Sequence, residues 1–124
     1  MNKIILLIGG NPKGYGEPFH PKTLSGKRLL KLIDKHHLKT QLMDLWQTEE
    51  EEAIGTVDSK GIYYLQKQAQ DKNVRIIALG YKVYHTLQNC NVPCEYLPHP
   101  ASRRKIDLQK LEAGLLGKGV VING

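Results

Sequence analysis

What constrains this chain most is the junction between a short apolar run and the loop that follows it. Lys3 to Ile8 (KIILLI) is a nearly unbroken run of isoleucine and leucine, the pattern of a strand covered on both faces in a parallel sheet. It gives way at once to a glycine- and proline-rich stretch, Gly9 to Arg28 (GGNPKGYGEPFHPKTLSGKR). A buried strand that opens into a long loop before a helix is where an open α/β sheet builds its binding crevice. The chemistry of the chain is therefore sought in that loop.

Downstream, strand and helix patterns alternate. Ser25 is read as the N-cap of a helix to about His36, with Leu29, Leu30, Leu32 and Ile33 inward and Lys27, Arg28, Lys31 and Lys35 on the wet side. Leu38 to Trp46 reads as a second strand, and the acidic Gln47 to Glu52 as a loop or helix start, its glutamates solvated. Asp58 or Ser59 caps a helix through about Asp71, whose buried stripe is Ile62, Tyr63, Leu65 and Ala69. Val74 to Leu79 is the third strand. Gly80 then turns into a short helix, Tyr81 to Gln88, with Tyr81, Tyr84 and His85 on the face toward the sheet. Pro93 to Leu97 reads as the fourth strand, Pro98 to Pro100 as a loop and Ile106 to Leu116 as the last helix. Gly117 to Gly124 reads as an extra strand or a packed tail. Parallel neighbours need crossover connections, so the pattern predicts a three-layer α/β/α fold around a central, mainly parallel four-stranded sheet. No repeat or linker divides the 124 residues, which predicts one domain over 1–124.

The net charge of +6 favours polyanionic partners, nucleic acid foremost. Basic residues gather at Lys22 to Lys39 and Arg103 to Lys105, apart from the acidic run Glu49 to Glu52, which predicts a basic face. His36 and His37 have no obvious partner and are read as solvated. No apolar run approaches the ~20 residues that span a bilayer, and no signal-peptide pattern follows Met1. A cytoplasmic monomer without membrane contact is the expectation. Cys90 and Cys94 form a C-x3-C pair without a second pair, whereas zinc and iron-sulfur sites normally take four ligands. They are read as free thiols, and neither metal nor cofactor is expected.

In a parallel sheet of this kind the loops after strands one, three and four converge on one edge, and they carry Asn11, Gly80 and His99. Gly10 and Pro12 bracket a turn in which Asn11 either caps the backbone or, since its amide both donates and accepts, holds a water or reads a base edge. Phe19, the only phenylalanine, either packs the loop down or offers a stacking face. His99 is either a surface histidine or, beside Ser102, Arg103 and Arg104, a hydrogen-bond donor to developing negative charge while the arginines hold phosphates. Asp44 and Trp46 fall near the edge of the same region.

In order, Gly10-Asn11-Pro12, Pro18-Phe19-His20-Pro21, Ser25-Gly26-Lys27-Arg28-Leu29, Leu79-Gly80 and His99-Pro100-Ala101-Ser102-Arg103 resemble the uracil-DNA glycosylase superfamily, nearest its mismatch-specific uracil/thymine branch. The resemblance spans nearly the whole chain. It implies metal-free hydrolysis of the bond between a flipped base and its deoxyribose. Asn11 would orient the attacking water, Phe19 would stack on the base and His99 would stabilise the departing base. Gly10, Pro12, Asp44 and Gly80 would complete the base pocket, while Lys13, Ser102, Arg103 and Arg104 would contact DNA. The chain departs from the family pattern at Lys13 and Ala101. It also carries Asp44 where the family often has an asparagine, and an ionised carboxylate accepts hydrogen bonds without donating them. Asp44 and the small size favour a rival reading, a catalytically degenerate protein that binds nucleotide or nucleic acid without turnover. A third is an enzyme of free nucleotides or nucleosides.

Overall fold

The computed structural model describes residues 3–117, so the expected extra strand or tail at Gly117 to Gly124 lies, beyond Gly117, outside the described residues. The elements run β1 (Ile4–Gly9), α1 (Leu24–Lys35), β2 (Thr40–Asp44), α2 (Glu49–Ile54), α3 (Ser59–Gln68), β3 (Val74–Leu79), α4 (Tyr81–Asn89), β4 (Glu95–Leu97) and α5 (Lys105–Leu115). The strands form one parallel sheet in the order β2-β1-β3-β4. The chain steps outward from β1 to β2, crosses back to β3 and steps outward again to β4. That reversal falls between β1 and β3, and the loops at their carboxyl ends part there to leave a crevice.

Side-chain alternation along the two central strands builds both cores. Ile5 and Leu7 of β1 and Ile77 and Leu79 of β3 point to one face, where they pack with Leu29, Leu111 and Leu115 of α1 and α5. Leu6, Ile8, Ile76 and Ala78 point to the other, where Leu65 of α3 and Val83 and Leu87 of α4 cover them. The result is the three-layer α/β/α architecture that the near-continuous apolar runs require, since a strand buried on both faces has no polar side. The basic segments of α1 and α5 belong to the same outer layer.

Several boundaries differ from the sequence expectation. The cap of α1 is Thr23 rather than Ser25: its hydroxyl accepts from the Gly26 N–H at 3.0 Å and donates to the His20 carbonyl at 2.7 Å. This fixes the helix against the loop that precedes it. Gly26 is needed there, because a Cβ would run into the carbonyl oxygens of His20 and Phe19. β2 is shorter than expected, its last residues leaving the ladder as the Leu45 and Trp46 N–H groups bond to the carbonyls of Gly9 and Gly10. The acidic run becomes the helix α2, capped by the Thr48 hydroxyl. Asp58 caps α3 through both carboxylate oxygens.

Two expected packing faces are corrected. Tyr63 is 60% exposed, because Leu65, with Ile62 and Ala69 beside it, fills the inner side of α3. On α4 the inner residues are Val83 and Leu87, which leaves Tyr81 65% exposed and His85 on the surface. His36 is not solvated without a partner: its Nε2 lies 2.6 Å from Oε2 of Glu112 on α5, beside Lys35. Arg28 likewise leaves the wet side and donates to the carbonyls of Pro100 and Ser102 at 3.0 and 2.8 Å. Cys90 and Cys94 are free thiols, half-buried under α4, where burial pushes the Cys94 thiol up to about 11. No helix among the described residues is long and apolar enough to cross a membrane.

Candidate functional site

At the carboxyl edge of β1 and β3 lies a crevice of about 260 Å³ lined by Gly10, Asn11, Pro12, Lys13, Phe19, Asp44, Trp46, Glu52, Gly80 and His99, with the first residues of α4 at one side. Four stretches far apart in sequence supply these side chains. The sheet brings them together because every strand delivers its following loop to the same edge.

Asn11 sits almost fully buried in the turn after β1. Its Oδ1 accepts from the Lys13 N–H at 2.9 Å, and its Nδ2 donates to Glu52 Oε1 at 3.1 Å. An amide has two donor hydrogens and two acceptor lone pairs, so the turn-capping role leaves one of each free toward the crevice. The two sequence readings of Asn11 are therefore compatible. Lys13, held at φ 53° by this turn, is exposed at the rim.

Phe19 is 8% exposed with its backbone at φ 52°, a conformation unusual for a bulky residue and costing ~1–3 kcal/mol. Its ring lies across Gly9, where a Cβ would come within 2.5 Å of Cζ. The strained backbone and the bare glycine together seat the ring between the α1-side core and the crevice wall. Packing and presentation of an aromatic surface thus coincide in one side chain.

Asp44 ends β2 opposite Gly9 in the β1–β2 register. Half-buried, its carboxyl has no hydrogen-bond partner among the described residues, and burial raises it to about 6. Only below about pH 6 does the neutral acid, which both donates and accepts, predominate. At neutral pH the carboxylate accepts without donating.

His99 stands at the rim after β4, its ring against Gly80. The residue is exposed as a whole, yet its crevice side is crowded. Desolvation there, and then the charge of Lys13, hold its imidazole below the ordinary value of 6.5, with Glu52 opposing them. Its Nδ1 accepts from the Ala101 N–H at 3.0 Å, which leaves the proton of the neutral ring on Nε2. The two bonds from Arg28 pin the carbonyls of the same loop.

Glu52 is the site residue that sequence reasoning missed. Its place in a run of four glutamates predicts a solvated side chain, but it turns inward from α2 to Asn11, and its other oxygen lies 3.6 Å from Lys82 Nζ. The available signal was spacing. Glu49 and Glu52 lie three apart on one helical face, and both reach lysines of the crevice, Glu49 approaching Lys13 at 4.0 Å. Trp46 is 1% exposed, with an indole N–H that finds no acceptor among the described residues. Lys82 lies over its ring at 5.5 Å. α4 has no side-chain cap at Gly80, and its first residues line the crevice, where uncapped N–H groups suit an anionic or carbonyl-bearing ligand.

Ser102, Arg103 and Arg104 do not line the crevice. The Ser102 hydroxyl donates to Asp107 at 2.7 Å and accepts from the Arg104 N–H at 3.3 Å, ordering the entry to α5. Arg103 and Arg104 are exposed beside it. Compared with protein-family models, with curated proteins and with solved structures, the chain finds no match.

Proposed function

We propose that the crevice accepts a single base turned out of DNA and hydrolyses its N-glycosidic bond without a metal, in the manner of the uracil-DNA glycosylase superfamily that the motifs resemble. The observation that carries this reading is the convergence of Asn11, Phe19, Asp44 and His99 on one small crevice. At about 260 Å³ it falls just under the ~300–1,000 Å³ usual for small-molecule pockets, a size suited to a base rather than a whole nucleotide. Uracil or another modified base is the substrate class, and the protein works as a cytoplasmic monomer.

In this reading the base slides along Phe19 and presents its polar edge to Asp44. A water held by the free donor and acceptor of Asn11 attacks C1′ of the deoxyribose. Glu52, bonded to the same amide, takes the proton as the oxygen adds to C1′. The bond from C1′ to the ring nitrogen breaks with its electron pair passing to the base. The Nε2–H of neutral His99 donates to the charge that gathers there. Lys13, Arg103 and Arg104 lie outside the chemistry as phosphate contacts, offsetting the few kcal/mol that base extrusion costs.

A second reading, binding without turnover, is favoured by one observation: Glu52 already occupies Asn11 and pairs with Lys82, so the water site has a resident carboxylate. Single-turnover base release separates the two readings. Asn11→Ala and His99→Ala abolish release on the glycosylase reading. On the rival reading wild type releases nothing, yet binds nucleotide through the same residues.

A further inference from the structure

From the crevice mouth, α4 and β4 carry a set of aromatic rings of which only Tyr84 packs against the core. Tyr81 stacks on Tyr96 with centroids 4.3 Å apart and planes 15° from parallel, and on His85 at 5.9 Å and 15°. Tyr84 meets His85 and Tyr96 edge-on, at 5.6 and 5.7 Å. The edge contacts fix the orientation of the stacked rings in the free protein. Core packing accounts for Tyr84, which lies beside Val83 and Leu87, but not for Tyr81 and His85, which stay exposed, Tyr81 at 65%.

The position of the ladder says what it fits. Tyr81 directly follows Gly80 and itself lines the crevice mouth, so the ladder begins where the site ends. The stacked rings are preoriented, and Tyr81 and His85 are exposed.

We infer that Tyr81, Tyr96 and His85 form a stacking platform for single-stranded nucleic acid leading into the crevice. Ring faces accept any unstacked base and the net charge of +6 draws a polyanion, the combination that binds single strands without sequence preference. Duplex DNA hides its base faces and gains only the phosphate contacts.

This rests on the glycosylase reading for the class of partner alone, and its test uses a strand with no removable base, so that base release and platform binding fail independently. The probe is a fluorescein-labelled oligothymidylate of about twenty nucleotides, measured by anisotropy alone and annealed to its complement. Wild type binds the single strand more tightly than the duplex. Tyr81→Ala weakens single-strand binding about tenfold or more while Tyr81→Phe retains it. His85→Ala, also at an exposed position, gives a smaller loss, and thermal melts check that each variant is folded. Unchanged affinity in both Tyr81→Ala and His85→Ala overturns the platform, as does a duplex bound as tightly as the single strand, or no binding by wild type.

Discussion

The side-chain amide of Asn11 donates a hydrogen bond to Oε1 of Glu52 at 3.1 Å, across 41 residues of sequence. The bond joins the turn after β1 to a helix that buries none of its own residues, so it is maintained at the site rather than by the core. Glu52→Gln preserves the shape of the contact and removes the proton acceptor. On the glycosylase reading it lowers the base-release rate by about 10²–10⁴, with little change in melting temperature or substrate affinity. Release by Glu52→Gln at the wild-type rate excludes Glu52 as the base.

His99 gives a pH prediction of definite sign. Its folded pKa lies below 6.5, so near and below that pH the unfolded chain binds more protons than the folded protein. Stability therefore declines as pH falls through 6.5, and His99→Gln removes that part of the acid sensitivity. Above this range the ring is neutral, and the His99 contribution to base release stays flat between neutral and mildly alkaline pH. His99→Gln slows release by about 10²–10³, the usual effect of losing one donor to a developing anion. A release rate that rises as His99 becomes protonated contradicts the neutral-donor role.

Asp44 has the opposite balance. Burial raises its carboxyl from 3.8 to about 6, so the folded state bears the cost of ionisation at neutral and higher pH and is relieved of it in acid. Asp44→Asn is expected to stabilise the protein by about 1 kcal/mol above pH 6, after discounting the shift for the solvent that reaches a half-buried group. The gain closes as pH falls toward 4. Denaturant melts of both proteins across that range check it. A constant difference at all pH values removes the ionisation argument.

How far the site was readable from sequence depended on the kind of information each residue carried. Asn11 and Gly80 could be placed because β1 and β3 are marked by apolar runs, and His99 because it follows the short strand-like Pro93 to Leu97, since a parallel sheet dictates where their loops emerge. Phe19 was visible as a candidate but its role was not, since the positive φ and the contact with Gly9 that seat it are tertiary. Glu52 was hidden in a run of four glutamates, where composition alone reads as solvation. Tyr81, Tyr84 and His85 are expected to face the sheet because aromatic residues on a short helix fit a buried face. Only Tyr84 packs there, beside Val83 and Leu87, and the other two turn outward. The sequence pattern puts the cap of α1 at Ser25, and the fit of Gly26 beneath the His20 carbonyl, a tertiary contact, moves it to Thr23.

That fit supplies a stability prediction. Gly26→Ala places a methyl group against the carbonyls of His20 and Phe19, backbone atoms that cannot rotate away. A loss of about 1–3 kcal/mol follows, together with displacement of Phe19 from the crevice wall and weaker nucleobase binding. Gly16→Ala, in the same loop where a Cβ meets open space, bears only the strain of its positive φ and leaves binding intact. Equal loss of binding in both variants contradicts the local account.

Arg28 tests how the His99 loop is held. Arg28→Met keeps the aliphatic stem and removes the bonds to the carbonyls of Pro100 and Ser102. Misplacement of His99 by an ångström lowers the release rate by up to about 10²-fold with less effect on KM. Arg28→Lys restores part of it. A KM effect alone points to direct substrate contact by Arg28.

Base release from oligonucleotides bearing uracil, xanthine or hypoxanthine, measured under single-turnover conditions with wild type, Asn11→Ala and His99→Ala, bears most directly on the central claim. The account predicts free base and an abasic strand from at least one substrate with wild type, and near-complete loss in both variants. No release from any of the three substrates by folded wild-type protein, or release that survives both substitutions, contradicts it.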